Sequence, residues 1–183
     1  MRKVEVVLHN PKWQEAFKVE SKRVTDALGK NVVAVHHIGS TAIPYIYAKP
    51  IIDLLIEVKD ILQVDEQKTS MKLLNYKVMG EFGIPGRRFF LKENQQGIRT
   101  HHIHTFTVGS DQVKRHLAFR DYMIAHPEDA QIYSELKRRL AREYPTDIDG
   151  YMDGKDAFIR ETDKKAAQWR ALQTSTAGDL INS

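Results

Sequence analysis

The sequence predicts an α/β (α+β) fold in which a mixed β-sheet is flanked by helices. Short β-branched segments alternate with segments of helical periodicity over about residues 1–109, and the periodicity is helical after Gly109. No linker rich in glycine, proline or serine separates the two parts. We therefore expect a single domain over residues 1–183, with C-terminal helices over about 110–173 packed on the sheet and a frayed tail over 174–183.

Local signals predict the elements of the first part. A short strand over 4–8 is followed by a helix that begins at Asn10-Pro11, an N-cap followed by proline, and ends at Gly29. The β-branched segments 31–37 and 51–58 are predicted as neighbouring strands. The remaining elements are a helix over 61–76 and strands over 77–79, 87–92 and 99–108, the last two joined by a turn at Glu93–Gly97.

Three helices are predicted in the second part, over Asp111–Ala125, Pro127–Glu143 and Asp153–Leu172. The densest basic run of the chain, Lys137 to Arg139, lies on the second of them. Acidic neighbours accompany this run, so we interpret it as a solvated helix face and not as a surface that binds nucleic acid.

Composition excludes several classes of protein. Among 183 residues there are 28 Lys and Arg, 24 Asp and Glu, a formal net charge of +4 and no cysteine. Disulfides, thiolate zinc sites, iron–sulfur clusters and cysteine nucleophiles are therefore excluded. No segment approaches the roughly 20 apolar residues of a membrane span. We expect a cytoplasmic protein with neither a membrane nor a nucleic acid as partner, and its oligomeric state stays open.

The segment from Val35 to Leu55 carries the clearest chemical pattern. A predicted strand runs into Gly39-Ser40-Thr41, and a second strand carries Asp53 among apolar residues. Glycine lets a backbone approach a phosphate closely, and the serine hydroxyl adds a donor. An aspartate in an apolar strand is costly to bury unless it is paired or bound to a metal. Asp53 is therefore a candidate site residue, with a structural salt bridge as the alternative.

With these residues the chain resembles the GrpB family, a group within the nucleotidyltransferase superfamily. The resemblance runs in order over nearly the whole chain. The matching blocks are Asn10–Trp13, His37–Pro44, Lys49–Asp53, Arg87–Phe90, His101–His104, Phe119–Tyr122, Ala125–Pro127, Tyr133, Leu136–Lys137, Tyr151, Lys155 and Phe158–Ile159.

The resemblance implies a nucleotidyltransferase-like sheet whose carboxylates hold two metal ions. Such enzymes place two carboxylates at alternate positions of one strand, and a third on a neighbouring strand. Here the alternate position after Asp53 is Leu55, and Glu57 lies about 13 Å from Asp53 along the strand. Asp53 is then the only metal-ligating carboxylate that the pattern supplies. We therefore expect Mg²⁺ or Mn²⁺ to bind only together with a nucleotide.

His102 and His104 alternate on one predicted strand, so their rings share a face of the sheet. If that strand neighbours the strand of Asp53, His104 takes the place of the third carboxylate. Two imidazoles and a carboxylate suit a transition metal better than Mg²⁺. The alternatives are a hydrogen-bonded pair in a polar cleft, or a pair that binds phosphate when protonated.

Basic residues near these motifs suit an anionic ligand. Lys49 begins the strand of Asp53, Arg88 lies in the hairpin, and Lys155 on the last helix would reach over the sheet. Strand alternation places Arg88 on one face of the hairpin and Arg87 on the other. The expected ligand-binding set is Gly39, Ser40, Thr41, Lys49, Arg88, His102 and Lys155.

Two functions stay open. In the first, the protein is a transferase that moves a nucleotidyl or phosphoryl group, with Asp53 and His104 as catalytic residues. In the second, it is a catalytically inactive module that binds a nucleotide or phosphate. Because a GrpB-like domain is also found fused to dephospho-CoA kinase, the resemblance implies an accessory role in coenzyme A metabolism for this second case.

Overall fold

The computed structural model describes residues 3–179 and consists of a five-stranded sheet with helices on both faces. The helices are α1 Lys12–Leu28, α2 Ile61–Glu66, α3 Lys68–Leu73, α4 Asp111–Ala125, α5 Pro127–Glu143 and α6 Ile148–Asp179. The strands are β1 Val32–Ile38, β2 Ile52–Val58, β3 Tyr76–Val78, β4 Arg88–Glu93 and β5 Arg99–Thr107. Short 3₁₀ helices follow α1 and β1, over Gly29–Asn31 and Ser40–Ala42.

The sheet is mixed, as predicted, with strand order β1-β2-β5-β4-β3. Strands β2 and β5 are parallel, and the other neighbours are antiparallel. The expected adjacency of the strands at 31–37 and 51–58 is confirmed by the pairing of β1 with β2. In the parallel pair, Asp53 lies opposite His102 and Leu55 opposite His104. All four side chains therefore lie on one face of the sheet.

Alternation along the central strands divides the core into two layers. Leu54 and Ile103 are fully buried against helices α1 and α3 on one face. Leu55 and Phe106 point to the opposite face, where Val113 of α4 packs against them. Because side chains that point to one face recur every two residues, the apolar strand β2 supplies both layers.

The C-terminal helices enclose the segment that follows β1. Ile43 and Ile46 are buried against Met123 of α4 and Tyr133 of α5. Helix α6 packs on α4 through Ala166. These contacts bring side chains from all three helices over the sheet face that carries Asp53.

Three element predictions need correction. The segment 4–8 forms only an isolated bridge between Val7 and Ala48, because one residue pair does not make a ladder. The helix predicted over 61–76 is interrupted at Gln67, which separates α2 from α3. The last helix begins at Ile148, five residues before its predicted start.

Glycine explains the misplaced start of α6. The two glycines of the first turns disfavour a helix by propensity. However, a Cβ at Gly154 would lie 3.1 Å from Leu140 Cδ1, so glycine lets α6 approach α5 closely. Asp147 accepts a hydrogen bond from the Gly150 backbone at 3.0 Å and caps the helix.

At its other end α6 continues through Asp179, so the first part of the expected frayed tail is helical. Residues 180–183 of that expectation lie outside the described residues. Between residues 3 and 179 no helix combines the length and the apolar character that crossing a bilayer requires.

Candidate active site

The turn after β1 lies directly against Asp53. Ile38 pairs with Asp53 across the strands, and Gly39 follows with a φ of 71°. A Cβ at position 39 would lie 3.0 Å from Asp53 Cγ and closer still to its carboxylate oxygen. Glycine is therefore required here for two reasons, the left-handed backbone and the close approach to the aspartate.

Asp53, His102 and His104 form one cluster, because β2 and β5 are parallel neighbours and all three side chains point to the same face. Asp53 Oδ1 lies 3.2 Å from His102 Nδ1 and 3.6 Å from His104 Nε2. Burial raises the pKa of Asp53, but hydrogen bonds from the two histidines, together with their charges when they are protonated, outweigh this effect and hold the pKa well below its usual range. Asp53 is therefore a carboxylate at neutral pH.

Arg87 determines which nitrogen of His104 carries the proton. Its Nη1 lies 3.4 Å from His104 Nδ1, and a guanidinium only donates hydrogen bonds. Nδ1 therefore accepts, and the proton of the neutral ring is on Nε2, facing Asp53. Burial lowers the pKa of His104, although the Asp53 carboxylate acts in the opposite direction. Because burial has the larger effect, the ring is neutral at pH 7.

A cavity of about 210 Å³ opens beside this cluster. Asp53, His104 and Gly39 line one side of it, and His116 and Tyr133 from the helices line the other. Burial lowers the pKa of His116 to about 3, with the Arg115 charge adding to the effect. Burial also raises the pKa of Tyr133 to about 12, against the lowering effect of a hydrogen bond with Ser40.

Three lysines gather around two tyrosines next to this cavity. The Nζ atoms of Lys49 and Lys155 lie 4.2 and 4.9 Å from the centre of the Tyr151 ring. Lys137 Nζ lies 4.4 Å from the centre of the Tyr133 ring. Such positions over aromatic faces are favourable for cations, but they do not neutralise the charge.

Lys137 is the most unusual member of this lysine cluster. Its side chain is 2% exposed, and Nζ has no hydrogen-bond partner among the described residues. Burial lowers its pKa to about 7, and the charge of Lys155 lowers it further in the same direction. Within residues 3–175, no carboxylate is close enough to form a salt bridge with Lys137 or Lys155.

Lys155 and Tyr151 complete this polar interior. Burial lowers the pKa of Lys155, with Asp53 opposing the effect, so these two groups lie within electrostatic reach of each other. The Tyr151 hydroxyl is buried and has no hydrogen-bond partner in the described part of the chain. Positive charge and unused hydrogen-bonding capacity therefore meet in one place, which is the arrangement that an anion requires.

Two residues expected to bind a ligand lie elsewhere or are already engaged. Arg88 points to the opposite face of the sheet, where its guanidinium holds Asp65 at 2.8–3.1 Å. Thr41 is buried, donates its hydroxyl to the Ile51 carbonyl at 3.0 Å and lies 2.9 Å from His37 Nε2. Arg88 is therefore separated from Asp53 by the sheet, and Thr41 fastens the turn to the start of β2.

The expected set of site residues left out four residues of this region: Arg87, His116, Tyr133 and Lys137. The interpretation of Lys137 as part of a solvated face is wrong, because its side chain is buried. A signal existed in the helical spacing. The buried positions of α5 are Ala130, Tyr133, Ser134, Lys137 and Leu140, which form one stripe at intervals of three and four residues.

Comparison with known proteins places these residues in a family context. The family model described as GrpB protein matches residues 3–165. UPF0157 protein YqkA of Bacillus subtilis is 43% identical over 98% of this chain and 52% of its own length. Glutamate-rich protein GrpB of Alkalihalophilus pseudofirmus is 32% identical over 88% of this chain and 95% of its own.

Other similar proteins differ in length. The chain covers 65% of UPF0157 protein PA4798 of Pseudomonas aeruginosa, at 36% identity, so it spans about half to two thirds of the length of YqkA and PA4798. The crystal structure of conserved protein GrpB from Enterococcus faecalis has a TM-score of 0.87 and 41% identity, and covers 91% of this chain and 99% of its own. Dephospho-CoA kinase of Mycobacterium leprae is 24% identical, with 46% of that protein covered.

Proposed function

Because the chain belongs to the GrpB family, we propose a function for it from the residues that line this interior. It binds a nucleotide or another phosphorylated small molecule between the Gly39 turn and helices α4 to α6. The phosphate groups lie against Lys137 and Lys155, with Lys49 at the side and Ser40 on the turn.

The buried and unpaired Lys137 is the observation that carries this proposal. An ammonium group removed from water without a partner costs several kcal/mol, so its protonated form calls for an anion beside it. Lys155 contributes a second positive charge with no carboxylate in salt-bridge distance among the described residues. A phosphate group supplies both the negative charge and the acceptor oxygens that these ammonium groups lack.

The ligand would extend beyond the cavity next to Asp53. This cavity has a volume of about 210 Å³, which suits phosphate groups. Sites for whole small molecules are larger, at roughly 300–1,000 Å³. A second cavity of about 500 Å³ has Lys49 in its wall, together with Lys3 and Arg99. The rest of a nucleotide or coenzyme would occupy this basic space.

Transfer of a nucleotidyl or phosphoryl group, with Asp53 and His104 as catalytic residues, is the second candidate. The constellation of Asp53, His102 and His104 favours it. Leu55 disfavours it, because a fully buried leucine stands where a two-ion site needs its second carboxylate. The side chains present do not fit a pair of Mg²⁺ ions, so we assign no step to such ions. An inactive binding module is therefore the better supported of the two functions.

Calorimetry with a panel of ligands tests the proposal. The panel contains ATP, ADP, pyrophosphate, coenzyme A and dephospho-coenzyme A, each with and without Mg²⁺. The coenzymes are included because the dephospho-CoA kinase of Mycobacterium leprae is similar to this chain. A ligand that binds should add about 2.7 kcal/mol of stability at 100 times its dissociation constant. Lys137→Met should weaken binding at least ~10-fold, as expected for a lost charge-assisted hydrogen bond.

Lys114→Met is the matched control, since Lys114 is an exposed lysine on α4. It should bind like the wild type. The proposal is refuted if no member of the panel binds, or if Lys137→Met binds its ligand with wild-type affinity.

Anion binding should weaken as the pH rises through 7. The pKa of Lys137 is lowered to about 7, so the ammonium form that binds an anion is lost above that pH. Sulfate is the appropriate probe, because its own charge is constant between pH 5 and 9. Its affinity should fall by up to ~10-fold for each pH unit above 7, and the residual binding of Lys137→Met should lack this slope. Equal slopes in the two proteins would assign the pH dependence to another group.

A further inference from the structure

The cluster of Asp53, His102 and His104 has the dimensions of a single-ion metal site. One donor atom from each residue lies within 4.8 Å of the other two. Ligand bonds of about 2.0–2.1 Å place neighbouring donors about 2.8–3.4 Å apart in octahedral or tetrahedral geometry. The distances of 3.2 and 3.6 Å from Asp53 Oδ1 to the two imidazole nitrogens are close to that range.

The donor set selects the kind of ion. Mg²⁺ prefers oxygen ligands and an octahedral shell, whereas imidazole suits zinc, copper, iron and nickel. In this cluster two of the three donors are imidazole nitrogens. The next position of β2 on the same face as Asp53 holds the apolar Leu55, which offers no oxygen ligand. The resemblance to nucleotidyltransferases implies Mg²⁺ or Mn²⁺ at this place. The donor atoms of this chain favour a different ion.

We propose that Asp53 Oδ1, His102 Nδ1 and His104 Nε2 bind one divalent transition-metal ion of the Zn²⁺ or Co²⁺ type. The cavity on the helix side leaves the remaining coordination positions to water or to a bound molecule. The side chains of Asp53, His102 and His104 are 22, 17 and 15% exposed, so an ion can reach the cluster from that side. This proposal does not depend on the proposed function, because it requires no phosphorylated ligand.

The positions of the ring protons on the two histidines show that Arg87 opposes metal binding. Binding at His104 Nε2 requires the proton of that nitrogen to move to Nδ1, which now faces the N–H donor of Arg87. The guanidinium also brings a positive charge to the second side of the ring. Arg87 is held there by hydrogen bonds from its guanidinium to the backbone carbonyls of Glu81 and Phe82. At His102 the proton moves from Nδ1 to Nε2, which is buried and has no partner in the described structure.

Arg87→Gln should therefore increase metal affinity. A glutamine carbonyl accepts the Nδ1–H that a metal-bound His104 must carry, and the substitution removes the nearby positive charge. Partners of this kind on the far side of a ligating histidine change metal affinity by about 10–100-fold. A purely structural role of the histidine cluster would not produce a gain in metal binding from this variant.

The test uses the full chain without nucleotide, titrated with Co²⁺ by absorption spectroscopy and with Zn²⁺ by calorimetry. We expect one ion for each chain, with no comparable heat from Mg²⁺. His104→Gln and Asp53→Asn should each weaken Zn²⁺ binding by ~100-fold or more. Lys137→Met should keep the site, which distinguishes a failure of this proposal from a failure of the phosphate site.

His36→Gln is the matched control, because His36 forms a separate pair with Glu57 at 2.8 Å. It should bind Zn²⁺ like the wild type. Circular dichroism verifies that each variant is folded, and Arg87→Gln provides an independent arm if Asp53→Asn does not fold. The proposal is overturned if His36→Gln and His104→Gln bind Zn²⁺ equally well, or if Arg87→Gln lowers the affinity.

Discussion

Replacing Glu20 by alanine is expected to lower the free energy of unfolding by about 3–5 kcal/mol, as when one member of a buried ion pair is removed. Glu20 is 3% exposed on α1 and accepts hydrogen bonds from Lys92 at 2.6 Å and from the Tyr76 hydroxyl at 2.8 Å. Without the carboxylate, the partly buried Lys92 ammonium loses the ion pair that holds it against α1. Urea denaturation of wild type and variant measures the difference.

Two further variants define the origin of this loss. Glu15→Ala on the exposed side of the same helix should change stability by no more than about 0.5 kcal/mol. The double variant Glu20→Leu with Lys92→Met should recover much of the loss, since both charges are then absent. A Glu20→Ala protein as stable as the wild type would contradict the role assigned to this pair.

The same ion pair predicts a response to acid. Burial raises the pKa of Glu20, but the hydrogen bonds from Lys92 and Tyr76 outweigh it and lower the pKa below its ordinary value of 4.5. The stabilisation is therefore fully present above about pH 4.5 and is lost as the pH falls through the lower pKa of the folded state. Glu20→Ala should show a smaller loss of stability over this acidic range.

Lys137→Met is expected to have the opposite effect and to raise the free energy of unfolding by about 1–4 kcal/mol, because an apolar side chain of similar shape replaces a buried charge. Methionine fills the volume beside Tyr133 and needs no partner. Urea denaturation at pH 7 measures the gain, with the exposed Lys114→Met as control. A variant less stable than the wild type would indicate that Lys137 has a partner which stabilises the fold.

The dependence of stability on pH checks the same residue. Unfolded Lys137 keeps its proton up to about pH 10.5, whereas the folded protein releases it near 7. The unfolded chain binds more protons between these values, so the stability of the wild type should rise with pH there. Lys137→Met should lack this contribution. A stabilised variant that no longer binds phosphate would show that the chain retains an unfavourable charge for the sake of its ligand.

Most of the fold is predictable from local patterns, since the spacing of apolar residues distinguishes helices from strands and turn residues mark where they end. The predicted bounds of α4 and α5 coincide with the structure, where Ser110 rather than Asp111 caps α4 and Pro127 opens α5. Local patterns fail where tertiary contacts decide. Gly154 is unfavourable in an isolated helix, yet it belongs to α6 because Leu140 packs against it.

The site is predictable to the extent that it follows strand alternation. Asp53, His102 and His104 converge because Asp53 lies opposite His102 in the parallel pair, and His104 follows two residues later on the same face. Alternation also separates Arg87 from Arg88, but it does not reveal which face of the hairpin meets Asp53. That depends on β4 pairing with β5, where Phe89 lies opposite His104. Lys137 lies on the buried stripe of α5, but the depth of its burial also depends on the packing of α6 over α5, which that stripe does not reveal.

The parallel pairing of β2 with β5 also affects how the protein folds. Helices α2 and α3 and strands β3 and β4 all lie between these two strands along the chain. A parallel pair cannot be closed by a tight turn, and contacts between distant segments form late because loop closure opposes them. The Asp53 carboxylate therefore stays hydrated until β5 docks beside it. We therefore expect the carboxylate to lose its water and to gain its two imidazole partners together, so that it is not buried without a partner during folding.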